Sequence, residues 1–244
     1  MKKLLLALLV SCFALGRSQA QTPADKPVVK LDPALDALIS PDAKLELVKN
    51  DFGFTEGIVW IDQGAGGYML LSDMYANVIY KLTPDGQVSL YLDHSSYTGY
   101  DIWRVGMPQP DTDRKDVFFM IGSNGLAFSP DEKVLYANGS QNKYVRRYDV
   151  QPDDTLTNSQ MFIDMSSDPA GGITDGMKVD TEGNVWESGP RGIWIMSPEG
   201  KHLGTILTPE FVANLCFGNH DNKTLYVAAR TGVYKIRVNV PGLR

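Results

Sequence analysis

Cysteine is scarce in this chain of 244 residues, which contains only Cys12 and Cys216. Cys12 lies in an N-terminal segment with the pattern of a targeting signal, and removal of that segment would leave Cys216 alone. A single cysteine excludes an intramolecular disulfide and a cysteine-based zinc site. Because Cys216 sits in the run Asn214-Leu215-Cys216-Phe217, we expect it to be a buried, unreactive thiol.

Positive charge is also scarce. The chain has 23 lysines and arginines against 29 aspartates and glutamates, a net charge of −6, and no run of five or more basic residues. This balance excludes nucleic acid and anionic membrane surfaces as expected partners.

No apolar pattern with the helical period of about 3.6 residues continues beyond about two turns, which argues against a helical fold. The hydrophobic content of 43% is sufficient for a globular core.

The first twenty residues have the pattern of an export signal. Lys2 and Lys3 form a positive start, residues 4–15 are apolar, and Ser18-Gln19-Ala20 supplies small residues for cleavage. The apolar stretch is too short to span a bilayer as a stable helix, so we expect no transmembrane helix. We therefore predict a signal peptide over residues 1–20 and an exported protein, either periplasmic or secreted.

Cys12 leaves an alternative open. The sequence Leu9-Val10-Ser11-Cys12 resembles a bacterial lipobox, in which the cysteine would carry a lipid anchor. The apolar run continues beyond Cys12 as far as residue 15, which favours cleavage after Ala20 over lipid attachment.

The rest of the chain divides into a lead-in and a β domain. Four prolines within residues 21–45 predict an extended lead-in with at most one helical turn near residues 34–39. Over residues 46–240, short runs typical of strands alternate with turns such as Pro84-Asp85-Gly86 and Glu182-Gly183-Asn184. This pattern predicts an all-β domain.

The strand-like segments repeat. Each of four copies contains a polar residue, a short apolar strand, a tight turn, a strand with an aromatic residue, a second turn and a third strand. The polar residues that open the copies are Glu56, Asn124, Asp175 and Asn214. Such a repeat is typical of a β-propeller blade, because one small sheet cannot bury both of its faces alone. A fifth copy is doubtful, and the chain length at about 40–45 residues per blade predicts four to five blades.

The opening polar residues predict a metal site. In a propeller the innermost strands line the central channel, so these four residues should converge at one end of it. Carboxylate and amide oxygens from separate blades suit Ca²⁺, Mg²⁺ or Mn²⁺. Such a cation would polarise a carbonyl and lower the pKa of a bound water, and a carboxylate would serve as general base. The alternative is that these residues only form turns, which a repeat would also copy.

Four segments have a pattern that goes beyond the general repeat. They are Phe54-Thr55-Glu56-Gly57, the Ser-Asn-Gly-Leu-Ala-Phe-Ser-Pro-Asp-Glu-Lys motif at 123–133, Thr174-Asp175-Gly176-Met177-Lys178-Val179-Asp180 and Ala213-Asn214-Leu215-Cys216-Phe217-Gly218. Together they resemble the senescence marker protein/gluconolactonase/regucalcin-like family. The second and third motifs are specific as a pair, and the 51-residue separation of Asn124 and Asp175 fits the family. The resemblance extends over residues 46–238 and implies a six-bladed propeller with one central divalent metal. It also implies hydrolysis of sugar lactones or related esters.

The resemblance implies roles for particular residues. Glu56 and Asn124 match metal ligands of the family, and Asp175 matches a ligand that also acts as general base. Ca²⁺ is the expected metal, with Zn²⁺, Mn²⁺ and Mg²⁺ as alternatives. Asn214 is expected to line the substrate pocket. Trp103 and Arg104 are further pocket candidates because loops at a propeller end carry function, with packing between blades as the alternative.

The histidines carry no such prediction. His94, His202 and His220 have no spacing typical of a catalytic triad or a metal site. His202 follows a turn, so we expect it to be solvated.

One departure from the family leaves two hypotheses. The family has a further metal-binding Asn, within an Asn-Asp motif, between the residues that match Glu56 and Asn124. Only 68 residues separate Glu56 from Asn124 here, and no such motif lies between them. The first hypothesis is a metal-dependent lactone or ester hydrolase that acts on a small-molecule substrate. The second is a non-catalytic metal- or sugar-binding propeller, a truncated relative of the enzymes. The sequence indicates neither the particular lactone nor the oligomeric state.

Overall fold

The computed structural model describes residues 23–64, 66–93, 95 and 123–243. The predicted signal peptide with Cys12, and the candidate residues Trp103 and Arg104, lie outside the described residues. His94 lies outside them as well.

The segment predicted as an extended lead-in contributes to the sheets. Strand β1 (Val28–Lys30) is followed by the short helix α1 (Leu35–Leu38) and by strand β2 (Glu46–Lys49). The helix begins where the Asp32 carboxylate accepts a hydrogen bond from the Ala34 N–H at 2.9 Å. Its two leucines are buried in the main hydrophobic core, which explains why this short helix forms.

Four antiparallel sheets follow along the chain. Sheet I consists of β3 (Thr55–Asp62), β4 (Gly67–Asp73), β5 (Val78–Leu82) and β6 (Val88–Leu92). Sheet II consists of β7 (Ser123–Phe128), β8 (Val134–Gly139), β9 (Tyr144–Val150) and β10 (Leu156–Asp164). Sheet III consists of β11 (Met177–Val179), β12 (Val185–Gly189), β13 (Gly192–Met196) and β14 (His202–Leu207). Sheet IV consists of β15 (Asn214–Gly218), β16 (Thr224–Ala229) and β17 (Gly232–Arg237).

The two N-terminal strands complete sheets III and IV. Strand β1 pairs with β14 as a fifth strand of sheet III, and β2 pairs with β17 as the fourth strand of sheet IV. The outermost strand of sheet IV therefore precedes sheet I in the chain. This pairing ties the start of the β domain to its end without a covalent bond.

The strands are separated by turns of the predicted chemistry. Gly86 and Gly183 adopt φ values of +88° and +86°, in the left-handed region that glycine adopts without strain. Their N–H groups close the turns by donating to the carbonyls of Thr83 at 2.9 Å and Asp180 at 3.0 Å.

The first strands of the four sheets are innermost. Strand β11 packs against both β7 and β15, and β15 packs against β3. The sheets are therefore arranged around one axis in the order II, III, IV and I. This is the arrangement of propeller blades, so the predicted all-β propeller is confirmed, with four described sheets.

Three hydrophobic clusters hold neighbouring sheets together. One joins sheets III and IV through side chains such as Trp186 and Phe217, and it includes helix α1. Another joins sheets IV and I through Tyr226 and Met69, and the third joins sheets II and III through Tyr136 and Met177. Within the described residues, no such cluster joins sheet I to sheet II.

Equivalent apolar residues differ in exposure because of this arrangement. Ile58, Leu126 and Met177 each stand two residues after the polar residue that opens their repeat. Ile58 and Met177 are each 1% exposed, because sheets IV and II pack over them, whereas Leu126 is 59% exposed. The face of sheet II that carries Leu126 is therefore left open by the described residues.

Within the described ranges, no helix is both long enough and apolar enough to cross a bilayer.

Candidate functional site

The four polar residues that open the repeats meet at one end of the innermost strands. Asn124 Nδ2 donates a hydrogen bond to Asp175 Oδ1 at 2.6 Å, and Asn214 Nδ2 donates to Glu56 Oε2 at 3.1 Å. The Asp175 and Glu56 carboxyl groups lie close enough for Glu56 to raise the pKa of Asp175. Four sheets thus contribute one side chain each to a single cluster.

The two carboxyl groups make this cluster rich in negative charge. Asp175 is 6% exposed. Burial raises the pKa of Asp175 to about 7, and the nearby Glu56 carboxyl group adds to this effect, while the bond from Asn124 opposes it. The cluster would therefore be stabilised by a proton or by a bound cation.

Glycines after the polar residues allow the sheets to approach closely. A Cβ atom on Gly125 would lie 2.1 Å from the Asp175 carbonyl oxygen, and one on Gly176 would lie 2.6 Å from the Asn214 Cα. Any larger residue would push sheet II from sheet III, or sheet III from sheet IV. The Asn-Gly and Asp-Gly pairs therefore set the width of the site.

Sheet IV differs from the repeat that the sequence predicts. The Gly176 N–H donates to the Ala213 carbonyl at 2.8 Å, just as Gly125 faces the Asp175 carbonyl. Ala213 therefore occupies in sheet IV the place that Asp175 occupies in sheet III. Asn214 stands one residue later, where its amide contacts the Glu56 carboxylate.

Behind Asp175 lies a buried polar network that the sequence analysis did not identify. Glu187 on β12 and Asn138 on β8 are 0% and 3% exposed. Both hydrogen-bond to the backbone of Asp175, and the Ser188 hydroxyl accepts a further bond from the Asp175 N–H at 2.7 Å. A charged residue inside the apolar run Val185-Trp186-Glu187 was the available signal for this network.

Lys178 is a second residue that the sequence analysis did not identify. It lies on β11, three residues after Asp175, and its ammonium donates to the Met177 carbonyl at 3.0 Å. Burial lowers the pKa of Lys178, and the nearby Cys216, Glu187 and Glu56 groups partly oppose this shift. The cluster therefore has a half-buried lysine close to its carboxylates.

The donor set of the cluster fits a hard divalent cation. The described part of the chain contains no group of three or more His, Cys, Asp or Glu side chains able to hold a metal. The predicted set of Glu56, Asn124 and Asp175 instead combines two carboxylates with an amide, which are ligands typical of Ca²⁺, Mg²⁺ and Mn²⁺. Burial and, to a smaller extent, the Glu56 charge raise the pKa of Asp175, and a cation bound beside both carboxyl groups would stabilise their charged forms.

Other residues singled out by the sequence lie apart from this chemistry. Cys216 is buried as predicted, and burial raises the pKa of its thiol to about 12, so the thiol stays protonated at neutral pH. The expectation that His202 is solvated is wrong. It begins β14 half-buried, and its ring stacks on Trp194 with 3.8 Å between ring centroids. Packing of β14 against β13 places the two rings together.

Comparison with known proteins identifies the family. Residues 107–231, just over half of the chain, match the sequence model of the family described as the SMP-30/Gluconolactonase/LRE-like region. The chain belongs to this family. The resemblance predicted from the sequence motifs is therefore confirmed.

Individual relatives are similar over different shares of the chain. A gluconolactonase of Zymomonas mobilis is 23% identical, over 88% of this chain and 87% of the relative. A regucalcin of Danio rerio is 37% identical, over 44% of this chain and 37% of the relative. A 6-deoxy-6-sulfogluconolactonase of Pseudomonas putida is 30% identical, over 49% of this chain and 47% of the relative. The latter two matches thus span less than half of those relatives.

Solved structures share the fold. The structure of a gluconolactonase from Xanthomonas campestris superposes with a TM-score of 0.72 at 20% identity, over 90% of this chain and 98% of that chain. A luciferin-regenerating enzyme superposes with a TM-score of 0.64 at 16% identity, over 82% of this chain and 97% of that chain.

The Zymomonas alignment also shows where the two proteins differ in length. It extends over 312 positions, which exceeds the 244 residues of this chain. Part of the relative therefore has no counterpart here, in agreement with the small number of described sheets.

Proposed function

We propose that this protein is a metal-dependent hydrolase of sugar lactones or related esters. The observation that carries the proposal is the convergence of Glu56, Asn124 and Asp175 from three sheets on one negatively charged cluster around the buried Asp175 carboxyl group. Relatives named gluconolactonase and 6-deoxy-6-sulfogluconolactonase support the class of substrate.

Three side chains would hold the cation in this proposal, namely Glu56, Asn124 and Asp175. Ca²⁺ is the preferred metal, with Mg²⁺, Mn²⁺ and Zn²⁺ as alternatives. When bound, a divalent cation supplies Lewis-acid polarisation of the lactone carbonyl and stabilises negative charge on its oxygen. Asn214 orients the Glu56 carboxylate through its amide.

Asp175 is the proposed general base. Its carboxylate takes a proton from water as the water oxygen bonds to the lactone carbonyl carbon. The ring C–O bond then breaks, and the ring oxygen takes up a proton to leave a hydroxy acid. A base with a pKa near the working pH is efficient in such a transfer. In the metal-free cluster burial raises the pKa of Asp175 to about 7, and a bound cation would lower this pKa and keep the carboxylate able to accept a proton.

Substitution of Asp175 tests this role. We expect Asp175→Asn to reduce hydrolysis of a simple aldonolactone by at least about 10²-fold, because removal of a general base has an effect of that order. A pH-indicator assay measures the rate. Asp168→Asn is the control, since Asp168 pairs with Arg191 at 3.0 Å and takes no part in the cluster. Equal activity in both variants would exclude Asp175 as the base.

A specific observation also supports a second function. The described sheets I and II share no hydrophobic cluster, and the Asn-Asp motif of the family is absent between Glu56 and Asn124. These features favour a metal- or sugar-binding propeller that does not turn over substrate. A thermal unfolding scan with Ca²⁺, Zn²⁺, Mn²⁺ and Mg²⁺, beside the lactonase assay, separates the two functions. A raised melting temperature without hydrolysis favours binding alone.

We also propose that the protein is exported, since its first twenty residues have the pattern of a signal peptide. Expression in a bacterial host with fractionation and mass measurement tests this. We expect a mature chain that begins at Gln21 in the periplasm or medium. A lipidated fragment that begins at Cys12 would instead establish the anchored alternative.

A further inference from the structure

Glu187 is a carboxyl side chain in the interior of the molecule. It is 0% exposed on β12, whose other residues are buried as well. Its Oε1 accepts hydrogen bonds from the Asp175 backbone N–H at 3.0 Å and from Asn138 Nδ2 at 3.0 Å. Its Oε2 has no hydrogen-bond partner among the described residues.

Asn138 extends this contact to the neighbouring sheet. Its Nδ2 also donates to the Asp175 carbonyl at 2.7 Å. Its Oδ1 accepts hydrogen bonds from the backbone N–H groups of Asn124 at 3.2 Å and Gly125 at 3.0 Å. Two buried side chains thus hold the backbone of Asn124 on sheet II and of Asp175 on sheet III.

The energetic cost of burying the Glu187 carboxyl group indicates that this residue does more than fill space in the core. A buried polar atom without a partner destabilises the folded state, and an apolar residue would fill the same space without that cost. The neighbouring positions of β12, Val185 and Trp186, are apolar. Sequences retain such costs mainly where a functional site requires them.

We infer that Glu187 is a positioning residue, which acts through Asn138 to fix the Asn124 and Asp175 side chains at the separation that the cation requires. This role rests on the proposed function, in which those two side chains are ligands. The hydrogen-bond geometry itself does not depend on that function. Outer groups that orient metal ligands typically change metal affinity about 10–100-fold when removed.

Two variants of Glu187 and one control separate positioning from general stability. Glu187→Leu removes the acceptor, whereas Glu187→Gln keeps an acceptor oxygen in the same place. Asp180→Leu is the matched control, because Asp180 is also 0% exposed, accepts bonds from Asn184 and Trp186, and lies beyond the opposite end of β11. Asn138→Ala provides a second removal if Glu187→Leu does not fold.

The first measurement is amide hydrogen exchange by NMR in the metal-free protein. We expect exchange at Asp175, Asn124 and Gly125 to accelerate at least about tenfold in Glu187→Leu or Asn138→Ala, beyond any change in global stability. Glu187→Gln and Asp180→Leu should leave these three amides protected. Unchanged protection in Glu187→Leu, or at Asp175 in Asn138→Ala if Glu187→Leu does not fold, would overturn the inference, whether or not the protein binds metal.

The second measurement is the Ca²⁺ dissociation constant by calorimetry, at a temperature where every variant is folded. We expect Glu187→Leu to weaken binding at least about tenfold, with Glu187→Gln within about threefold of the wild type and Asp180→Leu unchanged. Equal weakening by Asp180→Leu would mean that Glu187 acts only through stability. A wild type without Ca²⁺ binding would refute the proposed function, and the exchange measurement would still decide the positioning role.

Discussion

Burial shifts the pKa values of Asp175 and His202 in opposite directions for the same reason. A buried environment disfavours the charged form, which is the anion for Asp175 and the cation for His202. The neutral His202 ring stacks on Trp194, and its Nε2 lies 3.0 Å from the Gly204 carbonyl oxygen. At Asp175 the same effect adds to the charge of Glu56 and creates a base that titrates near neutral pH.

His202 gives a prediction about stability and pH. Its folded pKa is lowered, so below its unfolded pKa of about 6.5 the unfolded chain takes up a proton that the native state does not. The free energy of unfolding should therefore fall as pH decreases through this range. His202→Gln removes this contribution. Urea unfolding between about pH 8 and about pH 5.5 should show a smaller loss of stability in the variant. An identical loss of stability with decreasing pH in the wild type and in His202→Gln would contradict the lowered pKa of His202.

At the scale of residues, the sequence predicted the side chains of the site better than the buried side chains that position them. Glu56, Asn124 and Asp175 open repeats of one pattern, so their convergence follows from the periodicity of the chain. Asn138 and Glu187 have no such periodic position. The hydrogen bond between them links residues 49 apart in sequence, and only the packing of sheet II on sheet III defines these partners.

The innermost strands carry glycine where two sheets come closest. Gly125 on β7 leaves no room for a side chain beside the Asp175 carbonyl, while Gly171, in the loop before β11, has open space around it. The first glycine is required by contact between two elements, and the second is not.

These two glycines provide a matched pair of substitutions. Gly125→Ala places a Cβ 2.1 Å from the Asp175 oxygen and should cost about 1–3 kcal/mol by overpacking, with loss of metal affinity. Gly171→Ala should change stability by less than about 0.5 kcal/mol. Chemical unfolding and Ca²⁺ calorimetry on both variants test this. If Gly125→Ala changed neither the free energy of unfolding nor the Ca²⁺ affinity, sheets II and III would be able to move apart without cost.

Among the elements, the sequence predicted apolar strands more readily than polar ones. Strands β5 and β13 are the third strands of their repeats, as the sequence pattern predicts. Strands β1, β10 and β14 were not predicted. Strand β10 consists largely of polar, exposed residues, and Gly204 interrupts the apolar sequence of β14. Pairing with a neighbouring strand, rather than local propensity, determines these elements.

The whole molecule is held together by contacts between neighbouring sheets. Sheets III and IV are covered on both faces, and sheets I and II carry most of the exposed large apolar side chains. The repeats predicted the number of blades, but not the pairing of β2 with β17, because that contact joins distant parts of the chain.

Because equivalent positions of the sheets differ in burial, we expect substitution by alanine to reduce stability by different amounts at these positions. Ile58→Ala and Met177→Ala should each cost about 2–5 kcal/mol, because each empties a buried site between two sheets. Leu126→Ala, at the equivalent position on sheet II, should cost no more than about 0.5 kcal/mol. Urea unfolding measures all three. A cost at Leu126 equal to that at Ile58 would mean that something covers this face of sheet II.

The central claim is that side chains from separate sheets meet around one divalent cation. Calorimetric titration of the chelator-treated protein with Ca²⁺ tests this claim most directly. We predict one binding site per chain, lost in Glu56→Ala and in Asp175→Ala. Binding that persists in both variants, or no binding by the wild-type protein to Ca²⁺ or the alternative metals, would contradict the claim.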